Sequence, residues 1–221
     1  MRFKLALYDW NGTTLNDLDL GYKCMVETFQ MLGGIERPPT FAEYRQGLDN
    51  SRFADFYYRH GLPRTVSPEE INEFLYAFYR KMLKCNALRL HDGAQSLLLY
   101  CRSQGIPNVM VSASKDNVPR YLSFLGIRDY FHALKLNGSN GWHKGIGLKE
   151  ALEEFGVAPE EAFYLDDTFD GIQSAKQLGI VSVGFTKGFN SEERIRAAGP
   201  DHIVHSLFEV IDLLQLEAVS I

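Results

Sequence analysis

The residues with chemical potential in this sequence are polar groups that end apolar runs. Lys4-Leu5-Ala6-Leu7-Tyr8 leads to Asp9, and Gly12-Thr13 breaks the chain immediately afterwards. Ala162-Phe163-Tyr164-Leu165 leads in the same way to Asp166-Asp167, and Asn108-Val109-Met110-Val111 leads to Ser112-Ala113-Ser114. A short apolar run closed by turn residues reads as a buried strand. A carboxylate at such an end is costly to bury unless a cation or several donors meet it. Asp9 alone is open to two readings: a cap for the next helix, or a nucleophile or metal ligand.

The surrounding pattern decides whether these ends can meet. From Leu88 onward strands and helices alternate. A helix is expected over Ala94–Ser103, opened by His91-Asp92-Gly93, and another over Asn117–Phe124. A short strand at Leu134–Leu136 precedes a helix from about Ile146 to Phe155. A helix over Ile172–Leu178, a strand over Val181–Gly184 and a last helix near Glu209–Leu216 follow. Such alternation predicts an α/β fold, a parallel sheet with helices on both faces. Residues 17–85 differ. Leu18, Tyr22, Met25, Val26, Phe29 and Leu32 recur at helical spacing and stop at Gly33-Gly34, with further helices after Thr40, Ser51 and Ser67. That stretch reads as an all-helical insert in one domain made of residues 1–16 and 86–221.

In a parallel sheet the carboxyl ends share one edge, so Asp9, Ser112, Asp166 and Asp167 can converge. Several carboxylates in one cleft repel each other, and a hard divalent cation relieves them. Oxygen ligands without His or Cys point to Mg²⁺. Ser112 and the amides after it can donate to phosphate oxygens, and Lys144 offers a compact positive charge to the same anion. Cation and lysine together suit a transferring phosphoryl group.

Composition narrows the partners. The 221-residue chain is 45% hydrophobic and 23% charged with a formal net charge of −5, which disfavours a nucleic-acid binder. Cys24, Cys85 and Cys101 are widely spaced and in no CxxC pattern, so neither a disulfide framework nor a zinc site is expected, and a cytoplasmic setting is. A signal peptide is not expected, since Asp9 interrupts the first apolar run, nor a membrane span, since no stretch approaches roughly 18 apolar residues. The expected partner is a small phosphorylated metabolite.

The motifs resemble those of the haloacid dehalogenase-like hydrolases. The first stands as Asp9-Trp10-Asn11-Gly12-Thr13, the second as Val109-Met110-Val111-Ser112, the third as Lys144 and the fourth as Tyr164-Leu165-Asp166-Asp167-Thr168. Order, spacing and the helical insert agree across nearly the whole chain. The resemblance implies a Rossmann-like core with a helical cap of the phosphoglycolate phosphatase or β-phosphoglucomutase kind. It implies that Asp9 attacks phosphorus to form an aspartyl-phosphate, and that Asp9, the Asn11 carbonyl, Asp166 and Asp167 surround Mg²⁺. Gly12, Thr13, Ser112, Ala113 and Lys144 would line the phosphoryl group, while Asp170 would stand outside the metal site. In the cap, Arg45 and Arg52 are candidate anion readers, weighed evenly against ordinary exposed arginines. His143 reads as a solvated loop residue, against a substrate contact, and Thr186-Lys187-Gly188 as loop punctuation, against a border of the phosphate site.

Asn11 departs from the family pattern. Phosphatases of the family carry a second Asp there, which protonates the leaving oxygen and then activates water. An amide does neither, and losing a positioned acid/base costs roughly 10²–10⁴-fold. Three readings are open: a slow phosphatase using water or another carboxylate, Asp17 being nearest in sequence; an enzyme for good leaving groups such as acyl or aryl phosphates; or a substitution that traps an active enzyme. A phosphate-ester-binding protein without turnover is the alternative from another class. Asp-Trp-x-Gly-Thr-Thr is also similar to phosphonoacetaldehyde hydrolases, which cleave a C–P bond with a cap lysine. Asn50 stands at the position aligned with that lysine, which disfavours this alternative.

Overall fold

The computed structural model describes residues 2–33, 37–50, 53–83, 88–114, 118–137 and 143–219, without the side chains of 50, 53, 82, 83, 218 and 219. The chain divides into two compact units, Met1–Asn16 with Arg89–Ile221, and Asp17–Leu88. The expected return to the core near residue 86 lies outside the described residues.

The larger unit is built on a six-stranded, wholly parallel sheet. Its strands are β1 (Leu5–Tyr8), β2 (Asn108–Ser112), β3 (Ala133–Leu136), β4 (Ala162–Asp166), β5 (Val181–Phe185) and β6 (His202–Val204), in the order β3-β2-β1-β4-β5-β6. This is a Rossmann-like order, and it reverses at β1 between β2 and β4. A crevice opens at such a reversal, outside the carboxyl ends of the strands. The register pairs Leu7 with Val109 on one side and with Tyr164 on the other. The Asp9 amide continues the ladder by donating to the Leu165 carbonyl at 3.0 Å.

Alternation along the strands separates two cores. Leu5, Leu7, Val109, Val111, Ala162 and Tyr164 pack with Leu148, Ala151 and Ala175. The last three lie on the helices that follow β3 and β4. On the opposite face Tyr8 meets Phe163 and Phe131 edge-on, at 5.9 and 6.1 Å between ring centroids. The Tyr8 hydroxyl donates to Asn108 Oδ1 at 3.0 Å. Asn108 Nδ2 in turn donates to the carbonyls of Leu98 (3.0 Å) and Tyr130 (3.1 Å), so this buried amide is fully engaged. Continuing the same period, Asp9 follows Leu5 and Leu7, and Asp166 follows Tyr164.

The helical unit contains α1 (Leu18–Gly33), α2 (Phe41–Asn50), α3 (Phe53–Arg59) and α4 (Pro68–Leu83). Two capping boxes start its helices. The Thr40 amide donates to Glu43 Oε2 at 2.7 Å while Glu43 N donates back to Thr40 Oγ1 at 3.3 Å, and Ser67 with Glu70 repeats the exchange at 2.8 and 3.2 Å.

The larger unit has α5 (Ala94–Ser103), α6 (Val118–Phe124), α7 (Lys144–Phe155), α8 (Phe169–Gln177), α9 (Glu192–Ala198) and α10 (Leu207–Val219). Two of these begin earlier than their apolar pattern suggests. α7 starts at Lys144 instead of Ile146, and α8 starts at Phe169 instead of Ile172; for α8 a side-chain cap sets the earlier start, whereas His143 before α7 makes no side-chain cap bond. Thr168 caps α8 by accepting from the Gly171 amide at 3.2 Å. α9 has no counterpart in the apolar pattern; Ser191 caps it from outside, with the Arg194 amide donating to Ser191 Oγ. Among the described residues no helix is long and apolar enough to cross a membrane, and Cys24 and Cys101 are buried free thiols.

Asn108→Ala would leave the Leu98 and Tyr130 carbonyls without this donor. Each unsatisfied buried group costs about 1–3 kcal/mol, so urea denaturation is expected to show a loss of roughly 2–4 kcal/mol with an unchanged m value.

Candidate active site

The site forms where β1 and β4, neighbours in the sheet, both end in carboxylates. Asp9, Asp166 and Asp167 are 4%, 0% and 0% exposed, and each offers one carboxylate oxygen within 4.8 Å of the others. Lys144 begins α7 and turns its ammonium onto this group. Its Nζ lies 3.1 Å from Asp9 Oδ2 and 2.5 Å from Asp166 Oδ2.

Neutral donors hold the carboxylates apart. Asp166 Oδ2 also accepts from the Tyr164 hydroxyl at 2.6 Å, and its Oδ1 accepts from Thr168 N and Thr168 Oγ1 at 2.7 and 2.6 Å. Asp167 Oδ1 accepts from Thr13 Oγ1, and its Oδ2 from the Phe189 amide, both at 2.6 Å. Two glycines let the backbone close on Asp167. A Cβ on Gly12, which has φ +77°, would come within 2.3 Å of Asp167 Oδ2, and one on Gly188 within 2.2 Å. Gly12 is therefore required twice, for a left-handed backbone and for space.

The electrostatics follow from burial. Desolvation pushes the Asp9 carboxyl well above the usual range, against the lowering pull of Lys144, while Asp166 and Asp167 add to the rise. Burial and then Asp166 push Asp167 up to about 7, with Lys144, Thr13 and the Phe189 amide opposing. Desolvation works against the Lys144 ammonium, but Asp166, Asp9 and Asp167 outweigh it and raise its pKa. One ammonium thus faces three carboxyl groups that cannot all ionise comfortably without another cation. The donors are oxygen only, buried and mutually close, which fits a hard divalent cation.

Around this centre, Asn11 lies in the turn after Asp9, and Asn11 Oδ1 accepts from Ser114 Oγ at 2.6 Å. Ser112 is buried at the end of β2, next to β1, and its Oγ accepts from the Ser114 amide at 3.2 Å. Ala113 is exposed beside it. Asp170 is exposed in the first turn of α8, outside the acidic cluster. His143 is exposed immediately before α7. Asp17 belongs to the helical unit, where it is buried and accepts from the Tyr79 hydroxyl at 2.5 Å. Arg45 is partly buried on α2 of that unit, and Arg52 lies outside the described residues.

Four contributors have roles that the motif pattern does not give. Tyr164 was legible only as an apolar strand residue, yet it stands two positions before Asp166 on the same face of β4. Thr168 doubles as a helix cap and an Asp166 donor. Ser114 tethers Asn11. The segment after β5 does more than punctuate a loop: Gly188 and Phe189 wrap Asp167, and the Asn190 side chain accepts from the Phe169 amide at 2.8 Å.

The haloacid dehalogenase-like hydrolase family model matches residues 6–185. A phosphoglycolate phosphatase of Vibrio vulnificus is 34% identical, the match covering 97% of both chains. Among solved structures, a HAD hydrolase of Entamoeba histolytica superposes with a TM-score of 0.78 at 23% identity, covering 94% of this chain and 95% of that one. A β-phosphoglucomutase of Clostridium difficile gives 0.74 at 20% identity, covering 99% and 100%. The chain therefore belongs to the haloacid dehalogenase-like hydrolases, as a phosphatase-type enzyme of the phosphoglycolate phosphatase-like branch.

Proposed function

We propose that this chain is a Mg²⁺-dependent phosphohydrolase for a small phosphorylated metabolite, working through an aspartyl-phosphate on Asp9. The observation that carries the reading is the buried meeting of Asp9, Asp166 and Asp167 against Lys144. Asp9, the Asn11 carbonyl, Asp166 and Asp167 would hold the cation, which would supply charge neutralisation at the phosphoryl oxygens.

In this reading Asp9 Oδ attacks phosphorus while Lys144 and Ser112 orient the phosphoryl oxygens, with Gly12, Thr13 and Ala113 beside them. Lys144 is well suited because its contacts to Asp9 and Asp166 keep it charged and aimed. Thr13 and the Phe189 amide fix Asp167, and Tyr164 and Thr168 fix Asp166, so little rearrangement accompanies reaction. The larger unit serves as catalytic core and the helical unit as cap, with Arg45 and Arg52 as its candidate anion readers. Asn11 makes both chemical steps slow, and the sequestering of Asp17 by Tyr79 favours no replacement acid there. A phosphate-ester-binding protein that turns over once remains the second reading, and Asn11 is what favours it.

With p-nitrophenyl phosphate and Mg²⁺, multiple turnover is expected. Asp9→Ala should abolish it, and Asn11→Asp should raise kcat by roughly 10²–10⁴-fold. Release of one equivalent followed by silence would favour the single-turnover reading, and an unaffected Asp9→Ala variant would refute the nucleophile.

The raised Asp167 carboxyl has a stability consequence. Its pKa is pushed up to about 7 in the folded chain from an ordinary 3.8, so the folded state binds this proton more tightly. The associated stability is fully present below about pH 4 and is lost as pH rises to about 7. Without divalent cation, denaturant midpoints of the unaltered chain should fall over this range relative to Asp167→Asn. Adding Mg²⁺ should restore stability at pH 8 and do little at pH 5, where protons compete for the ligands.

A further inference from the structure

The helices of the smaller unit surround a cavity of about 480 Å³, within the range of about 300–1,000 Å³ usual for small-molecule sites. Met25 of α1, Leu48 of α2, Phe56 of α3 and Leu75 of α4 supply its apolar wall. Ring packing holds part of that wall in place. Phe56 meets Tyr44 edge-on at 6.1 Å and Tyr57 at 5.8 Å, and Tyr57 stacks on Phe29 at 4.8 Å between centroids. Gly47 belongs to the same fit, because a Cβ there would stand 2.2 Å from the Phe56 ring.

The wall also carries a buried polar group that calls for a partner. Tyr44 lines the cavity and is only 8% exposed. Its ring packs against Tyr22 and Phe56, but among the described residues its hydroxyl makes no hydrogen bond. Burial pushes that hydroxyl well above the ordinary tyrosine range, so it stays neutral and able to donate. The neighbouring Tyr57 hydroxyl is engaged by Thr28. Buried polar groups are as a rule hydrogen-bonded, so a guest in the cavity has to meet Tyr44. None of the lining residues is Asp, Glu, Lys, Arg or His, and the remaining polar ones, Asn72 and Tyr76, are exposed on α4. A phosphate or carboxylate would enter without any charge to replace its water.

We propose that the helical unit holds a second binding site, for a small uncharged aromatic molecule with one hydrogen-bonding group. The guest's ring lies against Met25, Phe56 and Leu75, where aromatic edges and a thioether both favour ring contact. Its polar group bonds the Tyr44 hydroxyl. The chemistry is the opposite of that at the acidic cluster, which gathers charge, so binding here depends neither on the cation nor on Asp9.

The test titrates the full chain at pH 7 with 4-fluorophenol, followed by fluorine NMR, beside 4-fluorobenzoate, which has the same ring but carries a charge. 4-Fluorophenol should bind saturably with a Kd at or below about 1 mM, equally with and without Mg²⁺ and equally in Asp9→Ala. 4-Fluorobenzoate should bind at least about tenfold more weakly. Tyr44→Phe keeps the ring and removes the hydroxyl, and should weaken 4-fluorophenol binding about two- to tenfold. Leu75→Trp fills the cavity and should abolish binding, with thermal melts confirming that the variant folds; if it does not fold, Tyr44→Phe and the anion comparison decide. No saturation, equal affinity for the anion, or unchanged binding in Tyr44→Phe would overturn the inference. Binding that requires Mg²⁺ would overturn it as well, since the probe would then sit at the acidic cluster, whereas a failure of the proposed Asp9 chemistry would leave this site untouched.

Discussion

Three buried carboxyl groups face one ammonium, and this excess of negative charge is the constraint on which the structure depends. Carboxylates at full burial are tolerated only when donors or cations compensate them. Tyr164, Thr168, Thr13 and the Phe189 amide provide neutral donors. These bonds fix where each oxygen points, but they add no charge. Among the described residues Lys144 is the cation paired with these carboxylates, and it divides its charge between Asp9 and Asp166. The raised Asp9 and Asp167 carboxyls express what is left over. A divalent cation is the natural complement, and a phosphoryl group drawn to that cation and to Lys144 is the natural guest.

The topology makes this arrangement available. With β1 between β2 and β4, the order reverses next to Asp9, and the strand ends bearing Ser112 and Asp166 flank it. The two-residue period of the strands then places Asp9 and Asp166 on the face covered by α7, whose first residue is Lys144. The helical unit is inserted without breaking the sheet. Within the larger unit its two chain crossings run side by side, Asn16 N donating to the Arg89 carbonyl at 2.8 Å and His91 N to the Thr14 carbonyl at 3.1 Å. Both crossings therefore bear directly on the turn that carries Asn11 and Thr13.

Much of this was legible in the sequence because it depends on local pattern. Apolar runs ending in Asp9, Ser112 and Asp166 marked three strands and the edge they share, and helical spacing marked the insert. The capping boxes at Thr40 and Ser67 show the same local logic. What escaped depends on tertiary geometry or on very short periods. α9 has only Ile195 and Ala198 buried in its seven residues, too few to reveal a helical repeat; its signals were Ser191 and Gly199. Tyr164 looked like any strand residue because its hydroxyl matters only once Asp166 is beside it. Gly188 looked like a loop glycine because the carboxylate that excludes its Cβ lies 21 positions earlier in the chain. Neither the Ser114 tether on Asn11 nor the burial of Asp17 against Tyr79 has any signature in residue spacing.

The most direct measurement is anomalous diffraction from crystals soaked in Mn²⁺ at pH 8, with Mn²⁺ standing in for Mg²⁺. One strong peak is expected within coordination distance of Asp9, the Asn11 carbonyl, Asp166 and Asp167, with Lys144 still beside Asp9 and Asp166. A cluster without a peak, its carboxylates instead closed on Lys144 alone, would contradict it.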